Sequence, residues 1–156
     1  SSDLEGWTAS GIVGREQVQY VLCLSPTWHV RQFILFRDLE EPDLWLATDG
    51  AGRWGEMNGA HRTELDGCYD IDLVCTPFTN TLPIRRLPLL DGHTAELPVV
   101  MIDVETLEVR AVVQRYTRLD AHTWRYENTE SGYTTDLQVD DHGVVLDYPA
   151  EFRRLP

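Results

Sequence analysis

The sequence predicts a mostly β, antiparallel domain, and two observations lead to this prediction. First, turn signals in which Gly follows Asp, Ser or His recur along the chain, and Gly adopts positive φ without steric cost. Second, short runs rich in Val, Ile, Leu, Tyr and Trp separate these turns, and no strong helical periodicity accompanies them. Many short strands at near-regular spacing are typical of a β-sandwich or a rolled sheet. The turns are Asp49-Gly50, Asp66-Gly67, Asp91-Gly92, Ser131-Gly132 and His142-Gly143.

Nine segments have the composition of strands. They are Val18–Leu24, Val30–Arg37, Leu44–Thr48, Tyr69–Cys75, Val99–Asp103, Val109–Tyr116, Thr123–Asn128, Tyr133–Val139 and Val144–Tyr148. With 156 residues and a hydrophobic content of 42%, the chain can bury the core of one domain. No long linker or low-complexity segment divides it, so we expect a single β domain over residues 1–156.

A weak internal repeat relates the two halves of the chain at a constant offset of 79 residues. The matched pairs are Val21 and Val100, Val30 and Val109, Arg31 and Arg110, Trp45 and Trp124, and Tyr69 and Tyr148. We interpret them as a two-fold duplication with halves 18–90 and 97–156. Two similar meanders would form one continuous curved sheet, whose concave face can hold a ligand.

Charge and composition exclude several classes of function. A net charge of −13 repels phosphate backbones and anionic lipid surfaces, so we expect no nucleic-acid partner. All 13 basic residues are Arg, which excludes a Schiff-base lysine or a Walker lysine. No apolar run approaches the roughly 18 residues of a membrane helix, so we expect no stable membrane insertion.

The cysteines and histidines indicate neither a disulfide framework nor a metal site. Cys23, Cys68 and Cys75 form no CxxC pair, and an odd number of cysteines is typical of a reducing compartment. We therefore expect a cytoplasmic protein, although an exported form with a removed leader stays open. The five histidines lack metal-ligand spacing, so we expect no metal and no cofactor. The sequence does not specify an oligomeric state.

The segment 65–87, LDGCYDIDLVCTPFTNTLPIRRL, combines a turn, an alternating strand, a proline-bounded polar loop and an arginine pair. Side chains alternate along the strand, so Asp70 and Asp72 share one face and the apolar side chains share the other. We expect the apolar face to be buried and the carboxylate face to meet water or cationic partners.

A polar loop containing Asn80 follows this strand, and Arg85 and Arg86 come directly after the loop. Together with the two aspartates they can bind a polyhydroxylated or anionic head group, because Arg presents a planar fork and Asp accepts from hydroxyls. The alternative interpretation is structural, with the two arginines pairing with Asp70 and Asp72 to seal two strands.

Asp70 and Asp72 also support an enzymatic alternative. Their Cα atoms are expected about 7 Å apart along a strand that rises ~3.3 Å per residue. Paired carboxylates at such a spacing can hydrolyse a glycosidic bond. However, the sequence has no GxSxG elbow, HExxH or CxxC motif. We therefore assign no catalytic residue and expect a binding protein rather than an enzyme.

The segment 65–87 also carries a family signature. LDGC at Leu65–Cys68 and TPFTNTLPIRRL at Thr76–Leu87 resemble the bacterial putative glycolipid-binding family. The resemblance covers most of the chain. It continues through Asp49–Trp54, Gln114–Thr117, Trp124–Glu127 and Gly143–Tyr148.

This resemblance implies a mostly antiparallel sheet wrapped into a half-open barrel, like that of bacterial lipoprotein-carrier proteins. It further implies an apolar concavity for the tail of a glycolipid or another acylated molecule, and a polar cluster for the head group. Our candidates for that cluster are Asp70, Asp72, Asn80, Arg85 and Arg86, with Arg115 and Glu127 as second choices. An enzyme acting on a small glycoside or lipid-linked sugar, and a protein-interaction module, stay open as alternatives.

Overall fold

The computed structural model of the chain describes residues 6–13, 18–37, 42–74, 77–146 and 151–154. Within these residues the chain forms eleven strands and one α-helix. The strands are β1 (Trp7–Val13), β2 (Val18–Leu24), β3 (Val30–Phe36), β4 (Leu44–Thr48), β5 (Trp54–Glu56), β6 (Ile71–Leu73), β7 (Thr94–Ile102), β8 (Val109–Asp120), β9 (Thr123–Asn128), β10 (Thr134–Gln138) and β11 (Glu151–Arg154). The helix α1 (Thr81–Arg86) lies between β6 and β7 and follows a 3₁₀ turn at Pro77–Asn80.

The strands form two sheets rather than the one continuous sheet expected from the repeat. The first sheet has the order β11-β1-β2-β3-β4-β5, and all its pairs are antiparallel. The second sheet has the order β10-β9-β8-β7-β6 and is curled into a half-barrel. Its β6 pairs with β7 in parallel, and its other pairs are antiparallel. The predicted fold class, a mostly β protein with an antiparallel curved half-barrel sheet, is confirmed.

The strand bounds agree with the prediction in part. β2, β4 and β9 have the predicted bounds, whereas β7 and β8 are longer than predicted. The predicted strand 69–75 contains only the three residues of β6, and Cys75 lies outside the described residues. In the predicted strand 144–148, Val145 forms an isolated bridge with Val139, and Tyr148 lies outside the described residues. The sequence did not predict β1, β5 or β11.

The polar loop expected after β6 contains α1 instead. Pro83 is the third residue of this helix, where the backbone N–H has no partner within the helix in any case, so proline is compatible with the first turn. Thr81, Leu82, Pro83 and Ile84 are buried. Within the described part of the chain, no helix is long and apolar enough to span a membrane.

Two hydrophobic clusters hold the sheets and α1 together. The first cluster lies between the sheets, where Phe33 of the first sheet and Val100 of the second are both fully buried. The second cluster lines the inner face of the half-barrel and includes Trp124 of β9 and Ile84 of α1. Leu82 of α1 belongs to the first cluster, so the helix is anchored in both.

The offset of 79 residues relates strands as well as single residues. It leads from β2, β3, β4 and β5 to β7, β8, β9 and β10, which follow one another in the same neighbour order. Three of the matched apolar pairs differ in burial. Val100 and Trp124 are buried whereas Val21 and Trp45 are partly exposed, and Val30 is buried whereas Val109 is partly exposed. The duplication stays a prediction.

Candidate functional site

The packing of α1 positions two arginines at the C-terminal end of the helix. Residues 81–84 are buried, whereas Arg85 is exposed and Arg86 is partly exposed. The backbone N–H of Val145 donates to the Thr81 hydroxyl over 3.0 Å and ties the helix to the segment after β10. The positions of both guanidinium groups therefore follow from the way the core holds α1.

Asp70 and Arg86 form a buried ion pair. Asp70 is 1% exposed, and Nη2 of Arg86 donates to its Oδ2. The backbone carbonyl of Asp70 accepts from the N–H of Val100 over 2.9 Å, which fixes the residue at the start of β6. Burial raises the pKa of the Asp70 carboxyl, and the charges of Arg86 and His29 act against this rise.

Two polar atoms of this pair have no hydrogen-bond partner. Among the described residues, nothing bonds to Oδ1 of Asp70 or to Nε of Arg86, although both atoms are buried. An unsatisfied buried polar group costs about 1–3 kcal/mol. The pair therefore contains one buried acceptor and one buried donor that no described residue satisfies.

An aromatic ring lies beside each arginine. Cζ of Arg85 is 4.2 Å from the ring centroid of Trp28, and Cζ of Arg86 is 5.8 Å from that of Tyr69. These distances are within the range of cation–π attraction. Trp28 is buried, whereas Tyr69 is 43% exposed, so the Tyr69 ring is available to a ligand.

The turn between β2 and β3 holds Trp28 in a strained conformation. Its φ of 66° is unusual for a bulky residue with a Cβ atom. Hydrogen bonds around Ser25 compensate: Trp28 N–H donates to the Ser25 carbonyl over 3.0 Å, and His29 N–H donates to the Ser25 hydroxyl over 3.0 Å. This turn places the indole ring against Arg85 and places His29 close to Asp70.

These residues come from three separate parts of the chain, the β2–β3 turn, the segment before β6 and the end of α1. We call them the arginine cluster. Its members are Trp28, His29, Tyr69, Asp70, Arg85 and Arg86.

Arg85 has no carboxylate partner among the described residues. Its Nη1 donates to the backbone carbonyl of His142, and it forms no ion pair with any described residue. Asp140 is the nearby acid, and its Oδ1 accepts from the N–H groups of His142 and Val144 over 2.8 and 3.0 Å. Burial lowers the pKa of Arg85, and the charge of Asp140 acts against this change.

Asp72 belongs to a different cluster, which we call the polar network. Its Oδ2 accepts from Nε2 of Gln114 over 2.6 Å, and its Oδ1 accepts from the Thr79 hydroxyl over 3.2 Å. The Tyr116 hydroxyl donates to Oδ1 of Asn80 over 2.7 Å. Asp72, Thr79, Asn80, Gln114, Tyr116 and Tyr126 make up this network.

The polar network is internal to the half-barrel and satisfies its own hydrogen bonds. Gln114 is fully buried, donates to Asp72 and Tyr126, and accepts from Tyr116 over 3.3 Å. Burial raises the pKa of Asp72, while its three side-chain donors act against this rise. Burial and the nearby carboxylate of Asp72 also raise the pKa of Tyr126, so its phenol stays protonated. We therefore assign this network a structural role that joins β6, β8, β9 and the 3₁₀ turn.

The two aspartates thus have separate partners. Of the two surroundings expected for the carboxylate face, water or cationic partners, Asp70 has the second, because Arg86 covers it from α1. The structural pairing expected of the arginines is found for Arg86 and Asp70, whereas Arg85 and Asp72 form no such pair.

Arg115 and Glu127 lie on the opposite face of the second sheet. Alternation along β8 turns Arg115 away from its buried neighbour Gln114. Nη1 of Arg115 is 2.9 Å from Oε2 of Glu127, and its Nε is 3.0 Å from Oε1 of Glu96. The structure does not bring these two second-choice residues together with the arginine cluster.

Sequence reasoning missed several residues of both clusters. Gln114 had a detectable signal, since it is a polar residue at an inward position between buried Val112 and Tyr116. Trp28 and His29 had no such local signal, because their contacts depend on residues far along the chain.

The described residues offer no group of His, Cys, Asp or Glu side chains that could hold a metal ion. Cys68 is buried, and burial raises the pKa of its thiol to about 11, so it is protonated at neutral pH and unsuited to act as a nucleophile.

The chain is a mostly β protein whose second sheet is curled into a half-barrel, with a buried Asp70–Arg86 ion pair and Arg85 at the end of α1. The family model described as "Putative glycolipid-binding" matches residues 2–154. The chain therefore belongs to the putative glycolipid-binding family, and the resemblance seen in its sequence is confirmed.

A solved structure is similar over most of the chain. It is the crystal structure of a DUF1089 family protein from Pseudomonas aeruginosa, with 38% sequence identity and a TM-score of 0.77. The similarity covers 94% of this chain and 84% of the other. The comparison with curated proteins found no match.

Proposed function

We propose that the protein binds a glycolipid or another acylated molecule, and that the arginine cluster receives the polar head group. One observation carries this proposal: a buried carboxylate oxygen of Asp70 without a hydrogen-bond partner lies beside Arg86 and the exposed ring of Tyr69. The family to which the chain belongs supports the choice of a glycolipid.

The groups of the cluster match the groups of a sugar. A sugar hydroxyl can donate to Oδ1 of Asp70 and accept from Nε of Arg86, which satisfies both unpaired atoms. The apolar face of a sugar ring can pack on Tyr69, whose aromatic surface is accessible. Because Asp70 and Arg86 already hold each other, little side-chain freedom is lost on binding.

The acyl chain needs apolar surface, and we propose that the outward face of the first sheet supplies it. The inner face of the half-barrel, where the sequence placed the tail, is packed with the second hydrophobic cluster and α1. On the outward face, Val21 pairs with Ile34, and Ile34 pairs with Trp45, all three partly exposed. A groove of about 500 Å³ next to them is lined in part by Ile12 and Phe36.

Native mass spectrometry with a neutral glucosyl diacylglycerol tests this proposal. We expect a complex of one lipid per chain, and we expect Asp70→Asn to weaken it about tenfold. The amide has a single acceptor oxygen, which Arg86 can occupy, and it carries no charge. Arg125→Gln is the matched control, since Arg125 pairs with Asp136 on an exposed face. Absence of a complex, or wild-type affinity of Asp70→Asn, would overturn the proposal.

A second candidate function, hydrolysis of a glycoside, is less favoured by the geometry. Asp70 and Asp72 are engaged by different partners, Arg86 and Gln114. A glycosidase requires both carboxyl groups to face one bond.

A further inference from the structure

We infer that the head group is acidic, a sugar that carries a carboxylate or phosphate, and that Arg85 binds this anionic group. The inference rests on the proposed function, because it names the class of head group that the arginine cluster prefers. It depends on Arg85, whereas the proposal above depends on Asp70 and Arg86, so the two can fail separately.

Arg85 differs from most other arginines of the described chain in its lack of a carboxylate partner. Its Nη1 contacts only a neutral backbone carbonyl, that of His142. The arginines with an ion pair are Arg62, Arg86, Arg110, Arg115, Arg118 and Arg125. The one acid near Arg85, Asp140, does not pair with it, so among the described residues its guanidinium keeps a charge that an anionic ligand can neutralise.

The guanidinium of Arg85 is held in one place. The buried indole of Trp28 lies 4.2 Å from its Cζ, and the His142 carbonyl accepts from its Nη1. Gly143 closes the turn against the same side chain, since a Cβ atom there would lie 3.2 Å from Cγ of Arg85. A planar fork fixed on one side can offer its remaining N–H groups to a carboxylate or phosphate at a small entropic cost.

Arg85 and Arg86 are consecutive residues at the end of one short helix, and their guanidinium groups contact different rings, those of Trp28 and Tyr69. Arg86 is already neutralised by Asp70, so it can donate to hydroxyls but adds little net charge. The nearby acid, Asp140, uses its Oδ1 to fix the turn at His142 and Val144. The arrangement therefore separates a site for hydroxyl groups at Asp70 and Arg86 from a site for an anion at Arg85.

The test compares two lipids that differ in one group. Glucuronosyl diacylglycerol and glucosyl diacylglycerol share the tail and the sugar ring, and only the first carries a carboxylate. We expect the glucuronosyl lipid to bind at least about 10-fold more tightly to the wild-type protein, with a smaller difference at high salt. Titration of both lipids in the same detergent, monitored by intrinsic tryptophan fluorescence, gives the ratio of the two dissociation constants.

Three variants test whether Arg85 is responsible for the preference for the acidic lipid. Arg85→Gln should reduce the ratio of the two affinities to about one, whereas Arg85→Lys should keep part of the preference because it keeps the charge. Arg125→Gln should behave as wild type, since Arg125 lies on the exposed face of β9. Thermal unfolding of each variant separates loss of binding from loss of folding.

The outcomes are distinct. Equal affinity for both lipids, or a preference that survives Arg85→Gln, overturns the inference and leaves the proposed function in place. Failure of both lipids to bind overturns the proposed function, and the inference with it. A free glucuronate arm identifies the source of the anion: if sodium glucuronate binds as tightly as the lipid, the site takes a soluble sugar acid and the lipid assignment is wrong.

Discussion

Asp70 lies buried against Arg86, with Oδ2 bonded to the guanidinium and Oδ1 without a hydrogen-bond partner among the described residues. The partners come from two elements of different type, the segment before a β-strand and the end of a helix. The pair therefore bears on both stability and the proposed binding. It holds the end of α1 against the start of β6, and Oδ1 of Asp70 has no partner among the described residues.

Removal of Arg86 should destabilise the protein more than removal of both partners. Arg86→Gln leaves the Asp70 carboxylate buried and unpaired, which costs about 3–5 kcal/mol of unfolding free energy. The double variant Asp70→Asn with Arg86→Gln has no buried charge, so it should be more stable than Arg86→Gln alone. Urea unfolding of the wild type, both single variants and the double variant measures the coupling. Additive losses would contradict a direct pair.

The polar network should matter for folding rather than for binding. Gln114→Leu removes the 2.6 Å donor of Asp72 and the 3.0 Å donor of Tyr126, and leaves Asp72 with weaker bonds of 3.2 Å from Thr79 and 3.4 Å from Tyr126. We expect a loss of about 1–3 kcal/mol or slightly more, because one of the groups is charged. Gln138→Leu is the matched control, since Gln138 is exposed on β10. Equal melting temperatures for the two variants would show that the network contributes little.

The pH dependence of stability should reveal the raised pKa of Asp72. Since its pKa is higher in the folded protein than the value of about 3.9 in an unfolded chain, the folded state holds a proton that the unfolded state has lost. The contribution of Asp72 to the free energy of unfolding therefore falls as the pH rises from about 4 through the raised pKa of the folded state. It grows again as the pH falls toward 4.

Asp72→Asn removes this titration, so the stability of the wild type relative to Asp72→Asn should increase between about pH 7 and pH 4. Exposed carboxyls with a lowered pKa, such as Asp141, act in the opposite direction in both proteins and cancel in the difference. Chemical unfolding at several pH values measures the difference in free energy of unfolding between the wild type and Asp72→Asn. A difference that stays constant with pH would mean that the carboxyl of Asp72 has an ordinary pKa.

The sequence predicted the central strands of the first sheet, β2, β3 and β4, but not β1, β5 or β11. In β2, Val18, Tyr20, Leu22 and Leu24 are all buried, with partly exposed residues between them, as period-2 patterning requires. The same reasoning placed the apolar side chains of β6 correctly on the buried face, since Ile71 and Leu73 are both 1% exposed.

The arginine cluster was predicted only in part, and the physical reason is distance along the chain. Alternation assigned Asp70 to a face that meets water or cationic partners, but it could not predict that Arg86 approaches from a helix, because the segment was expected to be a loop. Trp28 joins Arg85 across more than fifty residues, through a turn whose positive φ is unusual for Trp. Local patterns cannot specify such contacts, because tertiary packing decides them.

Gly143 should influence binding through Arg85, and two glycines allow a matched comparison. Gly143 and Gly132 have φ values of 79° and 78°, so an added Cβ is strained at either position, with a cost of about 1–2 kcal/mol. Only at Gly143 does the added Cβ meet another side chain, at 3.2 Å from Cγ of Arg85, whereas Gly132 has open space.

Gly143→Ala and Gly132→Ala should therefore lose similar stability, but only Gly143→Ala should displace Arg85 and weaken binding of glucuronosyl diacylglycerol. The affinity for the neutral glucosyl lipid should change little in either variant, because Asp70 and Arg86 stay in place. Lipid titrations alongside thermal unfolding measure both effects. Equal affinities of the two alanine variants for the acidic lipid would mean that the turn at Gly143 does not position the guanidinium.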